Sequence, residues 1–154
     1  MDELHYRSTY SDINPQRCVF EKAINSRVCN CNKSQRFNLA DREGVACKSN
    51  AALKRCELLI KHLHENARFT LQRLDVEKLG HAQEIKIQNG GLLGLQEQLN
   101  TLGLESVADI DNVLSEAEKK FNSLEKLPYS KIMQVIHAYQ IRPNRKARKN
   151  TKSD

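Results

Sequence analysis

The sequence predicts a mainly α-helical protein, with an N-terminal cysteine-rich lobe of short helices packed on a small bundle of longer helices. Three observations predict it. Apolar residues recur at alternating three- and four-residue spacing in two long stretches, one from Leu53 to Leu71 and one from Val107 to Leu124. Helix-start and helix-stop residues bracket most of the chain: Asn14-Pro15, Ser49-Asn50, Ser106 and Pro128. All five cysteines lie between positions 18 and 56. The expected organisation is a flexible N-terminus over 1–13, one helical domain over 14–141 and a disordered basic tail over 142–154. Within the domain, 14–56 forms the cysteine lobe and 57–141 the helical body.

Residues 1–13 show no periodicity and read as a loop or frayed end. Asn14 as N-cap and Pro15 at the first helical position start a helix that runs to about Ser26. It would bury Val19, Phe20, Ala23 and Ile24, with Cys18 in its first turn. Arg27 to Lys33 is a loop carrying Cys29-Asn30-Cys31. Ser34 caps a two-turn helix, QRFNLADRE, which Gly44 ends as a left-handed cap residue. Val45 to Lys48 is a connector holding Cys47.

Ser49 or Asn50 caps the first long helix, which runs to about Arg73. Its apolar stripe is Leu53, Cys56, Ile60, Leu63, Ala67 and Leu71, with Leu59 alongside. Glu84 to Gln88 alternates like a short strand or extended segment. Asn89-Gly90-Gly91 reads as a turn, and Leu92 to Leu102 as a helix with Gly94 as a weak point. Ser106, with Asp109 three residues on, caps the second long helix. Val107, Ile110, Leu114, Ala117, Phe121 and Leu124 form its stripe. Pro128 stops it. Ser130 starts a final helix, Lys131 to about Gln140, that buries Ile132, Val135, Ile136 and Tyr139.

Composition narrows the function classes. The chain has 154 residues, 39% of them hydrophobic and 29% charged, with no Trp. No apolar run approaches the roughly 20 residues of a membrane span. The start, MDELHYRSTYSD, has neither a basic n-region nor an apolar h-region, which predicts no signal peptide and a cytoplasmic location. Thiols there are kept reduced, and an odd count of five cysteines leaves one over in any disulfide scheme. The net charge of +6 is uneven: residues 142–154 contribute +5, and the cysteine segment 18–56 another +5. The rest of the chain is therefore acidic.

The clustered cysteines point to one inorganic centre. Iron–sulfur clusters and zinc both take thiolates converging from loops and helix ends. The candidate ligands are Cys18, Cys29, Cys31, Cys47 and Cys56. Cys29 and Cys31 sit in a polar loop, VCNCNKS, that offers them no core to join, and with Cys47 they are the first three choices. Cys18 and Cys56 compete for the fourth place, since each also suits an apolar interior. Lys22, Arg27, Lys33, Arg36, Lys48, Lys54 and Arg55 would offset the thiolate charge. The spacing C-x10-C-x-C-x15-C-x8-C matches neither a paired C-x2-C zinc ribbon nor a bacterial ferredoxin run. It is easier to reconcile with a [4Fe–4S] cluster between short helices than with a zinc knuckle, so iron–sulfur is the first expectation and zinc the alternative. Thiol redox chemistry ranks below both, because an adjacent C-x-C disulfide is strained and no thioredoxin-like βαβ pattern surrounds it.

The remaining signals are weaker. His62 and His64 face different directions on one helix, so they cannot share an ion. His62, His64 and His137 read as surface or partly buried residues, and His81 with Glu84 as a solvated pair. Asn89-Gly90-Gly91 matches no nucleotide motif, and no catalytic motif is present. The tail, with Arg142, Arg145, Lys146, Arg148 and Lys149, suits phosphate backbones or acidic partners. The expected function is therefore a non-enzymatic metal protein with a protein or redox partner, acting in electron transfer, sensing or as an accessory subunit. The alternative is a zinc-stabilised nucleic-acid-binding or regulatory module using the basic lobe and tail.

Overall fold

The computed structural model describes residues 3–70, 80–100 and 105–140. In chain order these residues form α1 (Glu3–Ile13), α2 (Glu21–Asn25), β1 (Ser34–Leu39), β2 (Arg42–Cys47), α3 (Asn50–Thr70), α4 (His81–Leu99), α5 (Ile110–Phe121) and α6 (Tyr129–Ala138), with a short 3-10 turn at Leu124–Lys126 before α6. The protein is mainly helical, with a small antiparallel two-stranded sheet. The expected end of the first long helix near Leu71–Arg73, the last residues of the helix to Leu102 and the basic tail lie outside the described residues.

Helices α3, α4, α5 and α6 enclose the main core. Leu59, Leu63, Ile87, Leu92, Leu95, Ile110, Leu114, Ile132 and Ile136 are fully buried in it. Phe20, Ile24 and Val45 extend the same core beneath the hairpin. The stripes expected of the long helices supply this interior. Leu53, Leu63 and Ala67 of α3 are buried, as are Ile110, Leu114 and Ala117 of α5. Ser49 caps α3 as expected, its hydroxyl accepting the Ala52 amide at 3.2 Å.

The N-terminal third departs from expectation. Residues 3–13 are helical rather than loop, because Tyr10 supplies a single buried anchor that leaves no periodic trace. Its ring packs 5.5 Å from that of Phe37, and its hydroxyl bonds the Glu21 carboxylate. The helix expected over 14–26 shrinks to Glu21–Asn25. Asn14 is no N-cap; its amide donates to Tyr10 Oη at 2.8 Å and to Val45 O at 3.1 Å. The Cys18 amide is spent on Val45 O at 3.0 Å, and Arg17 forms a β-bridge with Ala46. This segment pairs with β2 instead of coiling.

The short helix expected from Ser34 is a hairpin. β1 and β2 run in register from Ser34↔Cys47 to Leu39↔Arg42. Ala40 and Asp41 turn the corner at φ 51° and 67°, the left-handed geometry of a tight two-residue hairpin. An Ala-Asp pair carries little of the Asn-Gly signature, so the sequence hides this turn. Gly44 is not a helix cap: a Cβ there would lie 2.4 Å from the Phe37 ring.

The strand expected at 84–88 and the turn expected at Asn89-Gly90-Gly91 are both inside α4. The glycines act as close-approach points, not breakers. A Cβ on Gly90 would lie 2.7 Å from Ile136 Cα, and one on Gly94 3.2 Å from Ile132 Cα. α6 packs against α4 through that groove. α5 begins at Ile110 with Asp109, not Ser106, as N-cap, because Val107 is drawn into a parallel bridge with Cys29. Asn122 at φ 73° ends α5 before Leu124.

Candidate metal centre

Cys18, Cys31, Cys47 and Cys56 border one small cavity of about 20 Å³. Four separate stretches deliver them. Cys18 sits in the turn before α2, and Cys31 lies just ahead of β1. Cys47 ends β2, and Cys56 is in the second turn of α3. The pairing Ser34↔Cys47 brings the second and third of these stretches to the same open end of the hairpin. Val19, Phe20, Ala52, Leu53 and Ile110 close the walls, so the surroundings of the sulfurs are almost entirely apolar.

Backbone amides are aimed at two of the sulfurs. The Phe20 amide faces Cys18, and the Lys33 amide faces Cys31, in each case from two residues further along. The Asp111 amide, in the first turn of α5, also faces Cys31. Such donors stabilise thiolate over thiol. Cys47 instead lies with Sγ 3.1 Å from Ser49 O, a contact in which the thiol donates.

Burial opposes ionisation. It pushes the Cys18 thiol up to about 12 against the help of the Phe20 amide, with the neighbouring Cys31 and Cys47 adding to the rise. Burial also raises Cys31 and Cys56, and the other three thiols raise Cys56 further while Arg55 pulls the other way. Cys18 and Cys56 thus each feel the neighbouring thiols. All five cysteines are free thiols. Among the described residues, no three His, Cys, Asp or Glu side chains are gathered tightly enough to cage an ion as they stand. The four sulfurs border the cavity without converging on a point. The donor set suits a soft, thiolate-loving metal, and the space is that of a single water-sized body.

Cys29 does not join them. It is 2% exposed in the main core, its Sγ 3.9 Å from Asn89 Oδ1. Its amide bonds Ala23 O, and the bridge to Val107 turns its side chain inward. The polar run VCNCNKS therefore splits its two thiols: Cys29, held by the bridge to Val107, is in the main core, and Cys31, just before the turn that leads into β1, lines the cavity. Cys18 and Cys56, expected to compete for one place, both lie at the cavity.

Of the seven basic residues expected to balance thiolate charge, Lys33 lines the cavity, and Arg55 lies close enough to favour ionised Cys56. Arg55 is itself held by Asp111 and by Ser115 Oγ at 3.1 Å. Arg27 and Arg36 pair with Glu43, and Lys22 meets His81. His62 and His64 are partly buried, within expectation; His64 pairs with Glu84, and His81 has Lys22 rather than Glu84 as its neighbour. Arg142, Arg145, Lys146, Arg148 and Lys149 lie outside the described residues. No described helix is long and apolar enough to cross a membrane.

Sequence reasoning missed a polar network in the same lobe. Glu21, 8% exposed, accepts from Tyr10 Oη, from the Val45 amide at 2.8 Å and from Arg17 at 2.8 Å. Burial and the Glu21 carboxylate push the Tyr10 hydroxyl up to about 12. On α4, Gln88 and Asn89 are buried among partners: Gln88 Oε1 accepts the Ala23 amide at 3.1 Å, and Asn89 Nδ2 donates to Ser26 Oγ and Tyr139 Oη. A buried carboxamide pair beside two glycines was the available signal, masked by its turn-like composition. Comparison with known proteins returns no match: no family model fits the chain, and no curated protein or solved structure is significantly similar to it.

Proposed function

We propose that this chain is a metal-binding protein whose centre is held by Cys18, Cys31, Cys47 and Cys56. The observation that carries the reading is that four sulfurs from four remote stretches border one apolar cavity, two of them with amides aimed at them. A closed all-thiolate set leaves no open position for substrate, which is the arrangement of a structural centre rather than a catalytic one. Ligation would tie the hairpin to α3 and to the segment before α2. Metal binding would displace the thiol protons that burial now retains.

The size of the space favours a single tetrahedral ion, zinc. An iron–sulfur cluster is the second reading, supported by the all-cysteine donors and the amide-to-sulfur contacts, which also suit clusters. Metal analysis of protein purified without oxygen tests both. One zinc per chain and no visible absorption supports the first. Iron with acid-labile sulfide and a brown colour supports the second. A protein that copurifies with neither metal, and takes up neither on reconstitution, overturns the proposal.

A further inference from the structure

A second site is written in charge rather than sulfur. α1, α2, β2 and the start of α4 enclose a cavity of about 1080 Å³, at the upper end of the range for small-molecule sites. Most of its lining residues carry a polar or charged group, with Val28 and Ile85 the aliphatic exceptions and Tyr6, Tyr10 and Tyr139 adding ring surface. Arg7, Arg17, Lys22 and Arg42 line it together with the carboxylates of Glu3, Glu21 and Glu43. Those carboxylates are already shared. Glu3 holds Arg7 and Arg42, Glu21 holds Arg17, and Glu43 holds Arg27 and Arg36. Among the lining residues four cations therefore face three carboxylates, which leaves one positive charge over.

Lys22 is the cation left over. Among the described residues it makes no ion pair; its Nζ lies 2.6 Å from His81 Nδ1. An ammonium can only donate, so in that contact Nδ1 is the acceptor. The floor beside it is fixed: Asn89, with no exposed surface, donates to Tyr139 Oη at 3.0 Å and so leaves the Tyr139 proton free for another acceptor. Arg17 and Arg42 are braced over the Tyr10 and Tyr6 rings at 4.5 and 4.3 Å.

We propose that this cavity binds a small organic anion through a phosphate or carboxylate group, with Lys22 and Tyr139 as its principal contacts. The proposal is independent of the thiol centre. Calorimetric titration of the full chain with inorganic pyrophosphate and with citrate tests it. At least one probe should bind, more weakly as salt rises, and the preferred probe identifies the acid group. Lys22→Gln should weaken that binding about tenfold, while Lys119→Gln, an exposed cation on α5, leaves it unchanged. If Lys22→Gln fails to fold, Tyr139→Phe serves as the second variant, with a smaller loss expected. Failure of both probes to bind the wild-type chain, or equal binding by the Lys22 and Lys119 variants, overturns it.

Discussion

His64 on α3 sits with Nε2 2.9 Å from both carboxylate oxygens of Glu84 on α4. The same carboxylate accepts Gln88 Nε2 at 3.0 Å, and Gln88 in turn receives the Ala23 amide. One side chain thus links α2, α3 and α4. Burial works against the charge on Glu84, but the hydrogen bonds from His64 and Gln88 outweigh it and hold the carboxyl below its usual range. A depressed folded-state value stabilises the fold above the unfolded carboxylate range, and that stabilisation is lost as pH falls through the folded value. Stability measured by denaturant titration should therefore fall on acidification through the carboxylate range. Glu84→Gln should lower stability at pH 7 by about 1–2 kcal/mol and flatten that acid slope. An unchanged slope would count against the link.

The thiol centre makes a residue-by-residue prediction. Serine at Cys18, Cys31, Cys47 or Cys56 should each abolish or strongly weaken metal retention. Cys29→Ser should retain metal at the wild-type ratio and lose about 1 kcal/mol of stability from the core. Metal-to-protein ratios across the five variants decide this. Retention by Cys56→Ser together with loss by Cys29→Ser would reverse the assignment.

Raised thiol values set a pH dependence. Burial holds Cys18 and Cys29 near 12. Because the thiolate is the nucleophile and the ligand, metal-free protein should be alkylated slowly at pH 8 at Cys18, Cys29 and Cys56, as mapped by mass spectrometry. Metal affinity should rise with pH between 6 and 8, with protons released on binding.

The glycines of α4 separate helix propensity from packing. Alanine at an ordinary helical site gains about 1 kcal/mol over glycine. At Gly90 the new Cβ would meet the backbone of Ile136 at 2.7 Å, which cannot yield without moving α6. At Gly91 the nearest atom, also at 2.7 Å, is the tip of the Leu63 side chain, which can rotate. Gly90→Ala should therefore destabilise by about 1–3 kcal/mol, and Gly91→Ala by less. Thermal melts of the two variants give the order.

Asp109 fastens the cysteine loop to α5. Its Oδ1 accepts both the Asp111 amide at 3.2 Å and the Asn32 amide at 3.0 Å. Asp109→Ala should cost about 1–2 kcal/mol and weaken metal retention as well, since the Asp111 amide that faces Cys31 would lose its anchor. Asp109→Asn, which keeps the acceptor oxygen, should recover most of both.

How much was legible follows from what local pattern reports. The stripes of α3 and α5 were readable because three-four periodicity records burial of one helix face, and that face is buried here. The clustering of all five cysteines between positions 18 and 56 was equally open to view. Periodicity says nothing about hydrogen bonds between remote segments, and those decided the rest. The Val45 carbonyl, taking the Cys18 amide, kept 14–20 from coiling, and the Arg17–Ala46 bridge tied it to the hairpin. Close helix approach made Asn89-Gly90-Gly91 part of α4 instead of a turn. The bridge between Cys29 and Val107 turned one thiol into the core and left its neighbour Cys31 facing the cavity. The sequence by itself determined a helical body and a set of five candidate sulfurs. Only the tertiary structure placed four of them around one cavity and the fifth in the core, because the pairing that fixes each side chain's surroundings comes from segments elsewhere in the chain.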